Sequence, residues 1–218
     1  MSWTITGSEK TPVDPQFGSV QLLLHGEGAS IIDSSRFARS LTVNGAVTST
    51  AQKKYGNSSI FFDGINDSVV SPTEAFNIRT SPFTIEAWIY PFANLASKDI
   101  AFFGAGSNDF YLVTVSNTLY VGDGVSNNVS VANAATSLPS NQWKHLALAF
   151  DGTTYRVFIE GQVVGSSTTL LKNYSSSSIV IGNNTTRWMD GYLDEVRISS
   201  VCRYTSNFTP PTAPFPDI

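Results

Sequence analysis

The sequence is poor in cysteine, in charge, in histidine and in long apolar runs, and each shortage excludes something. A single cysteine, Cys202, has no partner for an intrachain disulfide, so stability must come from packing. Charged residues make up 14% of the chain, well below the ~25% of an ordinary globular domain. The formal net charge is −4 with no lysine or arginine cluster, which argues against nucleic acid as a partner. No apolar run approaches the ~20 residues of a membrane span, and none opens the chain as a signal peptide would, so neither a membrane partner nor an encoded export signal is expected. The two histidines, His25 and His145, lie in separate strand-like segments with no cysteine or second histidine beside them. That removes zinc and histidine-based catalysis from the candidates. Nowhere do apolar residues recur at i, i+3, i+4 and i+7 over three turns, so helices have little place here.

What remains is a chain of 218 residues, 41% hydrophobic, whose polarity is carried by Ser, Thr and Asn. That length suits one large β domain better than two small ones. From Val20 onward, short apolar segments recur between Gly, Asn, Asp and Ser: VQLLLH, SSIFFD, FTIEAWIYP, FYLVTVS, KHLALAFD, TYRVFIE, SIVIG and GYLDEVRIS among them. Many short strands with regular turn signals indicate a sandwich or jelly roll. FYLVTV-SN-TLYVG and YRVFI-EG-QVVG are tight antiparallel hairpins. In FTIEAWIYP one face is Phe83, Ile85, Ala87 and Ile89; the other is Thr84, Glu86, Trp88 and Tyr90. The second face implies either a strand covered on both sides or an aromatic binding surface. In WKHLALAFD, small Ala147 and Ala149 suit close packing of one sheet on the other.

Four segments in order, FDGINDSV, SPFTIEAWIYP, NQWKHLALAFDGTTYRVFIEGQVVG and IVIGNNTTRWMDGYLDEVRIS, resemble the laminin-G-like / concanavalin-A-like lectin and glucanase jelly roll. The opening LLLHGEG and IIDSS and the ending CRYTSNFTPPTAPFP resemble a subgroup found in bacteriophage structural proteins and bacterial surface proteins. The resemblance implies an all-β, two-sheet antiparallel jelly-roll sandwich over residues 20–204, with an extended N-terminal arm (1–19) and a Pro-rich C-terminal strap (205–218). It makes VQLLLH and GYLDEVRIS neighbours in one sheet. Phe61, Ile85, Trp143, Leu146, Leu148, Val157, Ile159, Ile181, Val196 and Ile198 are expected in the core.

The function this implies is that of a non-enzymatic virion protein, a capsid decoration (cement) or tail-associated component, located in the virion. Its partners would be other virion proteins, with a homo-oligomer also open. The alternative is a carbohydrate-binding adhesin on a phage tail or bacterial surface, with a surface glycan as partner. Residues 1–19 are too poor in apolar side chains to order alone, so Trp3, Ile5, Val13 and Phe17 are read as a partner-binding arm. The strap, with Phe208 and Phe215 as anchors, is expected along its own domain.

Glucanases of this architecture need two carboxyls about 5–5.5 Å apart when retaining. Asp190 and Asp194 share a strand face but lie roughly 13 Å apart on a regular strand, and strict alternation turns Glu195 to the other face. Hydrolysis is therefore not expected. No cofactor is required, although Ca²⁺ is a candidate ligand for Asp33, Asp63, Asp67 and Asp194. FDGIND is equally an Asx turn, with Asp63 and Asn66 bonding local backbone. For a glycan the candidates are Trp88, Tyr90 and Trp188, which can stack on sugar rings.

Overall fold

The computed structural model describes residues 13–72, 81–92, 100–105, 110–123, 127–169, 178–183 and 186–218. Among these residues the regular structure is almost entirely β. In chain order the strands are β1 (Val20–Leu24), β2 (Thr42–Asn44), β3 (Val47–Ser49), β4 (Ser59–Asp63), β5 (Ser68–Val70), β6 (Phe83–Pro91), β7 (Ile100–Ala105), β8 (Phe110–Val115), β9 (Thr118–Gly122), β10 (Asn127–Ala132), β11 (Lys144–Phe150), β12 (Tyr155–Ile159), β13 (Gln162–Ser167), β14 (Ile179–Ile181) and β15 (Asp190–Ser199). One short helical turn, α1 (Ala134–Ser137), joins β10 to β11.

Two antiparallel sheets result. Sheet A runs β13-β12-β11-β6-β15-β4-β3, and sheet B runs β10-β9-β8-β7-β14-β5-β2. The first and last strands are neighbours, as expected: β4 pairs with residues 190–193 of β15, and β1 takes over with residues 196–199. Both hairpins form through two-residue turns of left-handed backbone, Ser116–Asn117 and Glu160–Gly161, whose twist matches the strands they join.

The core lies between the sheets. Of the expected core residues Ile85, Leu146, Leu148, Val157, Ile159, Ile181, Val196 and Ile198 are in it. Phe61 and Trp143 are not; both are half-buried on the outer face of sheet A. Period-two alternation puts Phe62, rather than Phe61, inward, and puts Trp143 on the same side as His145.

That outer face is largely covered, by the two ends of the chain. Ala147 and Ala149 make room for the strap rather than for the opposing sheet: with Phe158 they pack under Cys202, Tyr204 and Phe208. Tyr204 and Phe208 stack at 3.6 Å between centroids. The Phe208 amide donates to the Gly161 carbonyl, and a side chain at Gly161 (φ +72°) would collide with the Phe208 carbonyl. Farther along, Phe215 packs on Val20, Leu23 and Phe17.

Beneath the strap runs a buried ionic chain. The Arg197 Nε and Nη2 both donate to Glu86 Oε1, at 3.0 and 2.8 Å, and Tyr204 Oη donates to Glu86 Oε2 at 2.9 Å. Arg197 Nη1 reaches Asp14 Oδ2 at 3.2 Å, and Arg203 Nη2 donates to the same oxygen at 2.8 Å. Asp14 thereby closes the network, and its amide donates to the Ile218 carbonyl.

The N-terminal arm is shorter than the sequence indicates. Trp3 and Ile5 lie outside the described residues and Val13 is 63% exposed, but Asp14 and Phe17 are docked on the domain itself. The expectation that residues 1–19 as a whole cannot order alone is therefore corrected for Asp14 and Phe17, which the domain itself holds. Removing Asp14 takes charged hydrogen bonds from two buried arginines, worth about 2–3 kcal/mol. Asp14→Ala, or deletion of residues 1–17, should lower Tm by roughly 5–10 °C in a calorimetric scan. An unchanged Tm would show that Asp14 does not hold the arginines.

Candidate functional site: the outer face of sheet A

The strap covers one part of this face and leaves another open. In the open part, antiparallel register aligns side chains from adjacent strands: Val47 of β3 opposite Phe61 of β4, Phe61 opposite Tyr192 of β15, and Tyr192 opposite Tyr90 of β6. Trp143, just before β11, continues the row. Ring centroids are 5.2 Å apart for Phe61–Tyr192, 5.9 Å for Tyr192–Tyr90 and 5.4 Å for Tyr90–Trp143. Phe92, immediately after β6, stands over the middle of the row within 5.3–6.1 Å of Tyr192, Tyr90 and Phe61. Phe92 is 38% exposed and Val47 52%, while Phe61, Tyr90 and Trp143 are half-buried. Tilted and edge-on contacts of this kind hold aromatic rings in place before any ligand arrives.

In the sealed part lies a group of buried polar side chains. A bulge in β15 between Asp194 and Arg197, with Glu195 at φ 52°, interrupts the alternation. Leu193 and Val196 both enter the core, so Asp194 and Glu195 both turn outward. Strict alternation had placed Glu195 on the opposite face; the extra residue of the bulge is why it is not there. Asp194 Oδ2 accepts from the Lys54 and Tyr55 amides at 2.7 and 3.1 Å. Glu195 accepts from the Phe215 amide at 2.6 Å and lies 2.8 Å from His25 Nδ1. Tyr55 Oη in turn donates to the Pro211 carbonyl. The pair of carboxylates thus holds the strap at two points, directly and through Tyr55.

Electrostatics differ along this covered face. Burial alone would raise the Glu86 carboxyl, but the Arg197 charge and the contacts of His145 outweigh it and hold it at about 2. For Asp194 burial prevails over the two amide donors, and with the Glu195 charge beside it the carboxyl is pushed up to about 7. Burial would lower His25, but its hydrogen bond to Glu195 outweighs that and raises it.

The proposed ligand residues are distributed differently from the sequence reading. Trp88 is only 4% exposed, with the Lys54 ammonium 3.7 Å from its ring and Tyr55 and His145 against its edges, so it cannot serve as a sugar platform. Trp188 is half-buried in an isolated bridge with Asn183, apart from the row. Tyr90 is in the row. Phe61, Phe92, Trp143 and Tyr192 join it, which the sequence reading missed; their signal was shared outward parity on neighbouring strands, legible only once strand order is known.

The four aspartates do not form one ligand set. Asp33 accepts the amides of Leu23, Ser35 and Arg39, stapling its loop to β1. Asp63 accepts the Ile65 amide in an Asx turn, and Asp67 the Asp63 amide. Asp194 serves the loop at 54–55. Among the described residues no three acidic, histidine or cysteine side chains are grouped to hold a metal.

A jelly-roll sandwich with aromatic side chains on one outer sheet face defines the class of this protein as a lectin-like fold. The chain belongs to the Concanavalin A-like lectin/glucanases superfamily, whose profile matches residues 63–206. No curated protein sequence matches it. Among solved structures it is similar to the botulinum neurotoxin serotype D binding domain, at 12% identity and TM-score 0.68, covering 87% of this chain and 50% of that one. It is also similar to the binding domain of Paraclostridial Mosquitocidal Protein 1, at 18% identity and TM-score 0.66, covering 87% and 50%. A third is the serotype D ligand-binding domain in complex with N-acetylneuraminic acid, at 14% identity and TM-score 0.65, covering 86% and 49%. The chain spans about half the length of these structures, and at such identities the likeness concerns the fold.

The carboxyl environments set a pH dependence. Asp194 has a folded value near 7, above its ordinary 3.8. Its contribution to stability is fully present below about pH 4 and is lost as pH rises through 7, at most about 4 kcal/mol. His25, also raised, acts in the same direction. Glu86, depressed to about 2, contributes above its ordinary 4.5 and loses that contribution as pH falls toward 2. Tm should therefore rise from pH 8.5 to 5.5 and fall again below pH 4. Asp194→Asn should raise Tm at pH 8 and make the alkaline limb shallower. A variant less stable than the parent at pH 8 would show that Asp194 is held there as a favourable charge.

Proposed function

We propose that this domain is a non-enzymatic carbohydrate-recognition module, and that Phe61, Phe92, Tyr90 and Trp143, held in place by the buried Tyr192 among them, form its binding surface. The observation that carries the reading is the row itself: Phe61, Phe92, Tyr90 and Trp143, partly exposed and fixed around the buried Tyr192, on a sheet face otherwise sealed by the chain's own ends. Rigid aromatic faces stack on the C–H faces of sugar rings at little cost in side-chain ordering. The binding domains of similar fold support a recognition role. Asp194 and Glu195, the carboxylates that the bulge brings to one face, are committed to backbone amides and the strap, which supports binding without hydrolysis. No cofactor is needed for such stacking, so EDTA should leave binding unchanged.

The setting we infer is a particle surface. The sequence resemblance to bacteriophage structural proteins supports a capsid or tail, with other virion proteins as neighbours; mass spectrometry of purified particles tests this. For recognition itself the test is a glycan array followed by calorimetric titration of each hit. Tyr90→Ala and Phe92→Ala should each weaken binding by about 1–3 kcal/mol with Tm nearly unchanged for Phe92→Ala. Binding that is indifferent to both substitutions would move the site elsewhere.

A further inference from the structure

The strap is held by two different kinds of contact. Its first part, 204–208, is anchored by the Tyr204–Phe208 stack, by the Phe208 amide and by the bond of Tyr204 to Glu86, which stays ionised well below neutral pH. Its end, 211–218, rests instead on groups that change charge near neutrality. Glu195 accepts the Phe215 amide with one oxygen, and its other oxygen lies 2.8 Å from His25 Nδ1. Asp194 Oδ2 accepts the Lys54 and Tyr55 amides, and Tyr55 Oη donates to the Pro211 carbonyl. Asp194 Oδ1 is buried without a partner, so it is the oxygen that takes a proton. The two adjacent carboxyls face the same way only because the bulge holds Glu195 at φ 52°, a costly conformation outside glycine.

An open cleft of about 270 Å³, lined by His25, Glu27, Glu195, Phe215 and Asp217 among others, brings water to this group. Glu27 is engaged by the Asn57 and Ser58 amides, while Asp217, Glu195 and Asp194 all act on His25 by their charge. The Arg197 guanidinium lies 3.6 Å from the centre of the Phe215 ring, and the Lys54 ammonium lies over Trp88. With His25 protonated and Asp194 neutral, Glu195 has a cation against it and an uncharged neighbour. Loss of both protons removes that cation and leaves two charged carboxylates side by side beneath the strap, with Asp217 at the rim. Burial and the Glu195 charge push Asp194 up to about 7. Burial would lower His25, but its bond to Glu195 prevails and raises it above 6.5. Both protons therefore leave on passing from mildly acid to mildly alkaline solution.

We propose that residues 211–218 form a proton-operated latch, closed on sheet A while His25 is protonated and Asp194 uncharged, and released together with Lys54 and Tyr55 when both protons are lost. Release uncovers Val20 and Leu23, on which Phe215 packs, and Trp88, which Lys54 and Tyr55 cover. The boundary between the sealed and open halves of the face thus moves with pH, whether or not the open half binds a glycan. The sign follows from Asp194: its value is raised in the closed state, so closure is favoured at low pH and lost as pH rises through 7. From pH 6 to 8.5 that carboxyl alone should raise the released fraction about tenfold.

The test is residue-resolved amide hydrogen exchange of the full chain at pH 6 and 8.5, corrected for the intrinsic change in exchange rate. Protection at Phe215 and Tyr55 should fall at least about tenfold at the higher pH. At pH 8.5 it should also lie at least about a hundredfold below that of the β6 and β11 amides, the mark of a local opening. Asp194→Asn, which keeps an oxygen for the two amides but cannot ionise, should flatten most of the fall. His25→Gln, a second variant should the first not fold, should lower the protection of Phe215 at pH 6. Equal protection of Phe215 at the two pH values would overturn the latch. So would protection of Phe215 as high as that of β11 at pH 8.5, because the strap would then leave only with the whole domain. A fall that survives Asp194→Asn, with His25→Gln without effect at pH 6, would overturn the assignment to these two side chains.

Discussion

The contact on which the rest of sheet A depends is the buried pair between Glu86 of β6 and Arg197 of β15. These residues oppose each other on the central strands of the sheet, far apart in sequence. A carboxylate with no exposure is tolerable only if its charge is matched and its oxygens are occupied. Arg197 matches one oxygen with two N–H groups, and Tyr204 occupies the other. Arg197 has a donor left over, and that donor recruits Asp14, which recruits Arg203. One buried carboxylate therefore commits both ends of the chain to the same face. Covering that face is a consequence of satisfying the charge.

From this follows the division of the face. Where the ionic chain and the bulge at Asp194 and Glu195 lie, the strap must pass to supply partners: the Phe215 amide to Glu195, Tyr204 to Glu86, and the Pro211 carbonyl to Tyr55. Where the outward residues are Phe61, Tyr192, Tyr90 and Trp143, no buried charge requires a cover. Those rings pack on one another, and all but the buried Tyr192 remain partly open. The same sheet thus has a half whose polarity demands closure and a half whose aromatic character permits a surface for recognition.

Much of the fold is legible in the sequence. Alternation in FTIEAWIYP separates Ile85 from Glu86 correctly, the two hairpins can be read from SN and EG, and a strand arriving as late as GYLDEVRIS has to join an existing sheet. The site is legible only in part, for physical reasons. Alternation says that Trp88 and Tyr90 share a face, but not whether water, a strap or a ligand meets them, nor that Trp143 of another strand joins them. Lys54 and Tyr55 cover Trp88 from a loop more than thirty residues away in sequence, and no local pattern announces that. The bulge left a trace, since Leu193 and Val196 are both apolar at a spacing of three, which unbroken alternation does not allow. Asp14 looked like part of a free arm because its partners, Arg197 and Arg203, lie at the other end of the chain.

The central claim is that one sheet face holds a sealed half containing Trp88 and an open half containing Trp143. The four tryptophans of the chain make this directly readable in the indole N–H region of a nitrogen–proton correlation spectrum. Titration with an oligosaccharide that binds should shift the Trp143 resonance and leave that of Trp88 in place. Movement of Trp88 with Trp143 unmoved would contradict the division of the face and the account built on it.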